Sequence, residues 1–375
     1  MAYNLADAEV HCGRYGRIET VSNTTPGLVC AHHHLYSSLA RGMPAPKQTP
    51  TKFIEVLQQV WWRLDAALDA DMIYWSAALG AVEALMNGTT AIIDHHESPN
   101  MIEGSLSLIS KACGDVGVRV NTCYGVTDRW DNSGQLHSKV SPLSKMTDAA
   151  QRGLVECERF IADGGTGMIG VHAAFTCSDE TLNAAADLAK RLNVGVHIHV
   201  AEGADDAHAA TRLAKLATDD WLLVHGVLLE APLRGRLVHN PRSNMNNHVG
   251  YGAPTTKSNT ILLGTDGIGA DMLEESRLAY ARLREFNIIE TPDTVAQWLN
   301  NGYQIFPEAE NDTVTWNYDQ VQIPWHVAFT PGTRVTDVKI EGQFVLRDGL
   351  PTRVDLQEIR AKAHEQALRL FERLQ

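Results

Sequence analysis

The sequence predicts an α/β protein built on a parallel barrel of eight βα units, a (β/α)8 barrel of TIM type, with a small β-rich appendage. Three observations predict it. Eight short apolar strands recur between residues 26 and 267. Helical stretches separate most of them, the alternation that a parallel barrel requires. Residue types that bind metals fall repeatedly at the C-terminal ends of those strands, where barrel active sites lie.

The length suits this reading. A chain of 375 residues is within reach of one large barrel plus an appendage, and 44% hydrophobic residues suffice for its core. The formal net charge is −13 with no dense Lys/Arg run, which argues against nucleic acid or an anionic membrane as partner. The first residues are polar and lack the apolar segment of a secretory signal, and no apolar run is long enough for a bilayer. The six cysteines are scattered and form no CxxC pair. A protein of the reducing cytoplasm is expected.

The first strand opens at Pro26-Gly27 and ends in His32-His33-His34. Residues i and i+2 of a strand share a face, so His32 and His34 leave it side by side, spaced to share one ion, while His33 points the other way. A Pro- and Gly-rich loop follows, in which Tyr36 and Arg41 are candidates to touch substrate. Helices are expected over 53–64 and 70–86, the second with Asp69 as N-cap and Asn87-Gly88 as stop. The second strand, 89–94, leads into His95 and His96. A helix over 102–116, a strand over 118–126 and a helix over 147–163 come next. The fourth strand, 168–173, carries His172 at its end, a candidate substrate contact; Ser178 caps the helix 178–192. The fifth strand, 194–200, holds His197 and His199 on one face, so either could be a ligand. His199 is favoured because it is nearer the C-terminal end, and Glu202 follows three residues later. A helix is expected over 204–217. The sixth strand, 221–227, carries His225, which could bind the ion or polarise its water; the seventh is 236–239; the eighth, 260–264, leads to Asp266. Helices at 272–286 and 292–301 complete the barrel.

Three imidazoles and one carboxylate would bind one divalent ion and leave room for water, the pattern of a catalytic site. Such an ion makes hydroxide available at neutral pH. Asp266 could accept the water proton, and Glu202 could pass one to a ring nitrogen or a leaving amine. The tail differs in kind: short antiparallel strands are expected at 313–316, 335–341 and 343–347, and a charged amphipathic helix at 356–374. The expected division is 1–25 as the N-terminal part of a small, reduced β-sandwich (with one strand near 17–21), 26–304 as the barrel, and 305–375 as the rest of the small domain with the terminal helix.

These motifs together resemble the amidohydrolase superfamily, in its branch of cytosolic aminohydrolases and chlorohydrolases. Pro26-Gly27-Leu28-Val29-Cys30-Ala31-His32-His33-His34-Leu35 is similar to the first metal motif, and His199-Val200-Ala201-Glu202 to that of the fifth strand. Leu223-Val224-His225-Gly226, His239-Asn240-Pro241-Arg242-Ser243-Asn244 and Leu263-Gly264-Thr265-Asp266-Gly267 match the signatures of strands six to eight. Ala40-Arg41-Gly42-Met43 and the residues after Asp266 look most like the SsnA aminohydrolase group. The resemblance implies one divalent ion, zinc or in some members iron, held by His32, His34, His199 and Asp266. It implies hydrolytic deamination of an aminated N-heterocycle such as a purine or pyrimidine, with Glu202 as proton donor, His225 orienting the water and His172 against the substrate. Asn240 and Ser243 are expected to fix their loop. A homodimer is one expected assembly. Dehalogenation of a chlorinated heterocycle by the same residues, or a family member that binds metal without turnover, are the alternatives. Only 13 residues separate His225 from His239, so the barrel is expected to be shortened around strands six and seven.

Overall fold

The computed structural model describes residues 22–137, 144–267 and 269–375. The chain begins its regular structure with β1 (Thr24–Thr25), then β2 (Leu28–His34), β3 (Thr89–His96), β4 (Arg119–Tyr124), β5 (Ile169–Ala173), β6 (Val196–Val200), β7 (Leu222–His225), β8 (Arg236–His239), β9 (Ile261–Leu263) and β10 (Asp266–Gly267). From β2 to β4 and from β5 to β9 each strand pairs in parallel with the next. Single parallel bridges, Thr122 to Gly167 and Val126 to Val171, carry the ring from β4 to β5. The eighth barrel strand is β9 and β10 together, interrupted at Gly264 and Thr265, and β10 pairs in parallel with the end of β2. The strands thus follow one another around a TIM-type barrel in sequence order.

Nearly every strand residue is buried, as a parallel sheet covered on both faces requires. Alternate residues divide between two cores. Val29, Ala31, Ala91, Ile93, Leu222, Val224, Val238 and Leu262 fill the inside of the barrel. Cys30, Ile92, Ile169, Val171, Ile198, Leu223 and Leu237 face the surrounding helices. Parity alone would send His32 outward with Leu28 and Cys30. A bulge prevents this: Cys30 pairs with Ile92 but His33 with Asp94, so β2 carries one extra residue. The bulge reverses the alternation and brings His32 and His34 to the inside.

The helices start and stop where the sequence signals them. Asp69 accepts from the Met72 amide at the head of Ala70–Met86, Thr147 from Ala150 at the head of Asp148–Ala162, and Ser178 from Thr181 at the head of Asp179–Leu192. The helix expected over 53–64 runs without a break to Ala67 and carries a wide π turn at Leu57–Trp61, with Trp61 and Trp62 lining the barrel mouth. One expected helix is not continuous. Between 204 and 217 there is only a 3-10 turn, Ala204–Asp206, and a short helix, Ala209–Leu213. The cause is Asp206, whose carboxylate folds back to accept from the amides of Ala201 at 2.7 Å and Phe175 at 2.9 Å.

The shortening is real. No helix joins β7 to β8, and among residues 247–259 the only helical element is the 3-10 turn Pro254–Thr256. Side chains satisfy the loop carbonyls that a helix would have paired: Lys257 donates to Leu229, and Asn259 to both Leu233 and Gly235. A five-stranded antiparallel sheet forms the appendage, in the order β1, β11 (Thr313–Trp316), β12 (Val335–Ile340), β13 (Gln343–Arg347), β14 (Leu350–Pro351). Glu341 and Gly342, both at positive φ, make the tight turn between β12 and β13. A short helix not expected from the sequence, Pro324–Phe329, precedes β12. The terminal helix Leu356–Leu374 lies against Ala70–Met86, and Asp69 holds both Arg369 and Arg373. The strand expected near 17–21 lies outside the described residues. Among the described residues, no helix is long and apolar enough to cross a membrane.

One buried carboxylate fastens the barrel beneath the site. Asp94 of β3 accepts from the Leu35 amide at 2.8 Å and from Thr122 Oγ1 at 2.7 Å, tying the exit of β2 to β4. Asp94→Ala leaves both donors unpaired in the interior, at a cost of about 3 kcal/mol. Urea unfolding is expected to show that loss, together with lower metal occupancy, because the backbone just after His34 loses its anchor.

Candidate active site

The C-terminal ends of β2, β6, β7 and β10 converge on one group of side chains. His32, His34, His199 and Asp266 each offer one ligand atom, all within 4.8 Å of one another. Hydrogen bonds on the far side of each ring set its tautomer. His34 Nδ1 donates to the His95 carbonyl at 2.6 Å and His199 Nδ1 to the His172 carbonyl at 2.7 Å. His32 Nδ1 donates to His197 Nε2 at 2.8 Å. In each ring it is Nε2 that faces the centre, where with an ion bound it would turn its lone pair. There the Nε2 atoms of His34 and His199 stand 3.3 Å apart, and Asp266 Oδ1 lies 3.0 Å from His34 and 3.3 Å from His32. Lone pairs aimed at one another and at a carboxylate need a cation between them. Three nitrogens and one oxygen, each oriented from behind, fit a divalent ion, and the donor set is one zinc accepts.

The electrostatics agree. Burial, reinforced by neighbouring His34, holds His199 down to about 3, and burial keeps His32 neutral as well. Burial would also lower His34, but Asp266 outweighs it and raises that ring to about 9. Without an ion, a proton on His34 supplies the positive charge. Burial alone would raise the Asp266 carboxyl; the bonds to His32 and His34 outweigh it and hold it well below the usual range.

A second group shares Asp266. His225 Nε2 lies 3.4 Å from Glu202 Oε2 and 3.9 Å from Asp266 Oδ2, while its Nδ1 donates to Asn244 Oδ1 at 2.8 Å. Burial, then the Asp266 charge, pushes the Glu202 carboxyl well above its usual range. Ala201, His225 and Asp266 all adopt left-handed backbone conformations without being glycine. Such strain is found where the surrounding fold enforces a side chain's aim.

The structure brings together His32, His34, His199, Glu202, His225 and Asp266, and His172 and Tyr36 line the same pocket of about 260 Å³. Arg41 is placed apart. Its side chain is 46% exposed, bound to Glu83, and it is not among the residues lining the pocket. His33 bonds Thr265 on the far face, as its parity required. Ser243 does more than fix its loop: its hydroxyl donates to Asp266 Oδ2. His197, left open between ligand and core residue, is neither a member of the four-residue cluster nor idle; it holds His32 and in turn faces Cys123 Sγ at 3.6 Å. Its i, i+2 spacing to His199 was the only signal available.

A parallel barrel with a mixed His/carboxylate cluster at its C-terminal mouth defines a metal-dependent hydrolase. The model of the amidohydrolase family matches residues 23–296, and the chain belongs to that family. The 5'-deoxyadenosine deaminase of Methanocaldococcus jannaschii is 26% identical over 91% of this chain and 87% of its own length. Among solved structures, a zinc-bound adenosine deaminase from Xanthomonas campestris matches with a TM-score of 0.74 and 20% identity, over 92% of this chain and 85% of that one. The atrazine chlorohydrolase TrzN from Arthrobacter aurescens TC1, complexed with zinc, matches with a TM-score of 0.74 and 19% identity, over 92% and 88%.

His197→Phe keeps the ring volume and removes the acceptor behind His32. Competition with a chromogenic chelator is expected to show zinc affinity reduced about 10- to 100-fold, with the melting temperature little changed. Affinity equal to that of the unsubstituted protein would show that His197 is only a core residue.

Proposed function

We propose that this protein hydrolytically deaminates an aminated N-heterocycle of the purine type, releasing ammonia. The observation that carries the reading is the shared carboxylate. Asp266 belongs to the cluster suited to hold the ion and lies beside His225, which also faces Glu202, so ion, base and acid positions adjoin in one pocket. The relative matching over 91% of the chain bears a deaminase name, which supports the amino leaving group.

His32, His34, His199 and Asp266 would hold the ion. A divalent ion there supplies Lewis acidity that makes hydroxide available near neutral pH. Asp266 Oδ2, steadied by Ser243, accepts the proton from the attacking water. His225 is kept neutral by burial, with Nε2 free of its own proton, and orients that water by accepting a hydrogen bond from it. Glu202, protonated because it is buried beside Asp266, delivers a proton to the ring nitrogen next to the attacked carbon. Asn247 Nδ2, 3.4 Å from Glu202 Oε1, keeps that carboxyl turned to the pocket. The proton taken by Asp266 then passes to the amino group, the carbon–nitrogen bond breaks to release ammonia, and the new hydroxyl gives its proton to Glu202 as it becomes the ring carbonyl. His172, with Nδ1 donating to Thr176 at 2.8 Å, presents Nε2 to the heterocycle as an acceptor.

The test is an ammonia-release screen of zinc-loaded protein against paired aminated and chlorinated heterocycles. Ammonia from aminated purines is expected. Chloride release alone would move the assignment to dehalogenation. Glu202→Gln is expected to lower turnover by at least about a thousandfold while zinc content stays at one per chain. Unchanged turnover in that variant would remove Glu202 from the mechanism.

A further inference from the structure

One short helix, Pro241–Asn246, and the residue that ends it hold the three side chains that the deaminase reading sets on water and protons. Asn244 Oδ1 accepts from His225 Nδ1 at 2.8 Å, and Asn244 is buried. The Ser243 hydroxyl donates to Asp266 Oδ2. Asn247 donates through Nδ2 to Ser243 Oγ at 3.3 Å and to Glu202 Oε1 at 3.4 Å. His225 ends β7, Asp266 begins β10, and Glu202 follows β6. Three separate parts of the barrel rim thus take their mutual aim from one turn of helix.

Six residues are too few for a helix to hold itself, so tertiary contacts must set its place. Little support comes from the chain that follows, since among residues 247–259 the only helical element is the 3-10 turn Pro254–Thr256. Glu275 supplies the hold instead. It sits in the first turn of the helix Met272–Phe286, where the helix dipole favours a carboxylate, and it is wholly buried. Its Oε1 accepts from Arg242 Nε at 2.6 Å, with Arg242 Nη2 2.5 Å from the same oxygen. Its Oε2 accepts from the main-chain amide of Arg242 at 3.4 Å. One carboxylate therefore grips both the side chain and the backbone of the second residue of the short helix. Gly269 walls the guanidinium in, because a side chain there would run into both of its terminal nitrogens. Separating the pair would leave a buried charge unpaired, so the grip is firm. Arg242 also lines the pocket, and direct substrate contact is the competing role.

We propose that Arg242 and Glu275 form a positioning clamp for the reaction: by fixing the helix Pro241–Asn246 they set the aim of His225, Asp266 and Glu202 together, without touching substrate themselves. This rests on the deaminase reading for what those three residues do.

The experiment compares zinc-loaded Glu275→Gln, Arg242→Lys and the double variant Arg242→Met/Glu275→Leu, which leaves neither charge unpaired. Steady-state kinetics use the aminated purine that gives most ammonia. Each single substitution is expected to lower kcat about 10- to 100-fold, with KM changed by less than about threefold and zinc still bound. The double variant is expected to lose no more than the worse single one, because the two residues act as a unit. Additive losses, or an effect carried by KM, would overturn the clamp and make Arg242 a substrate contact. A second readout needs no turnover. The low-field imidazole proton on His225 Nδ1, seen by proton NMR and assigned by its loss in His225→Gln, is expected to shift in both single variants. A lower melting temperature with that resonance left in place would reduce the pair to a structural tie and overturn the proposal, whatever the turnover. If the resonance shifts but the unsubstituted enzyme releases no ammonia from any aminated heterocycle, the clamp stands and the deaminase reading falls.

Discussion

Everything in this molecule depends on the pairing of β10 with the end of β2. It closes the barrel, since Asp266 and Gly267 lie in register with His33 and His34. It also makes the site, because closure places the Asp266 carboxylate within 3.3 Å of two imidazoles from the first strand. Fold and chemistry therefore share one interaction. A bulge in β2 prepares one partner by turning His32 and His34 inward. Left-handed backbone at Asp266 prepares the other. These local departures from regular strand geometry cost energy, and the packed barrel around them covers it.

The site is also graded in polarity. Rings oriented from behind by carbonyls and by His197 gather at one end around Asp266. Asp65 and Glu97, both paired with Arg129, line the same space, as do Phe53, Leu57, Trp61 and Phe175. A flat heterocycle suits the apolar middle.

Much of this was legible in the sequence. Strand positions were readable because buried parallel strands are apolar throughout, and helix limits because Asp69, Thr147 and Ser178 are strong caps. The cluster was readable because His32, His34, His199 and Asp266 each end a strand, and a barrel brings strand ends together whatever lies between. What escaped was non-local. The broken segment after β6 depends on Asp206 reaching back to Phe175 and Ala201, which no helical periodicity encodes. Arg41 had the right charge in the right loop, but Glu83, on a helix 42 positions away, takes it to the surface. The parts of Ser243 and His197 follow from which atoms face Asp266 and His32, and spacing alone does not contain that. The π turn that swings Trp62 to the pocket left no sequence signal either.

The central claim is that barrel closure makes one metal centre from the ends of three strands. Zinc-edge X-ray absorption on protein loaded with one equivalent tests it most directly. The account predicts imidazole nitrogens at about 2.0–2.1 Å with oxygen completing the shell, and loss of imidazole scattering in His199→Ala. Sulfur scattering at about 2.3 Å, or a spectrum unchanged in that variant, would contradict it.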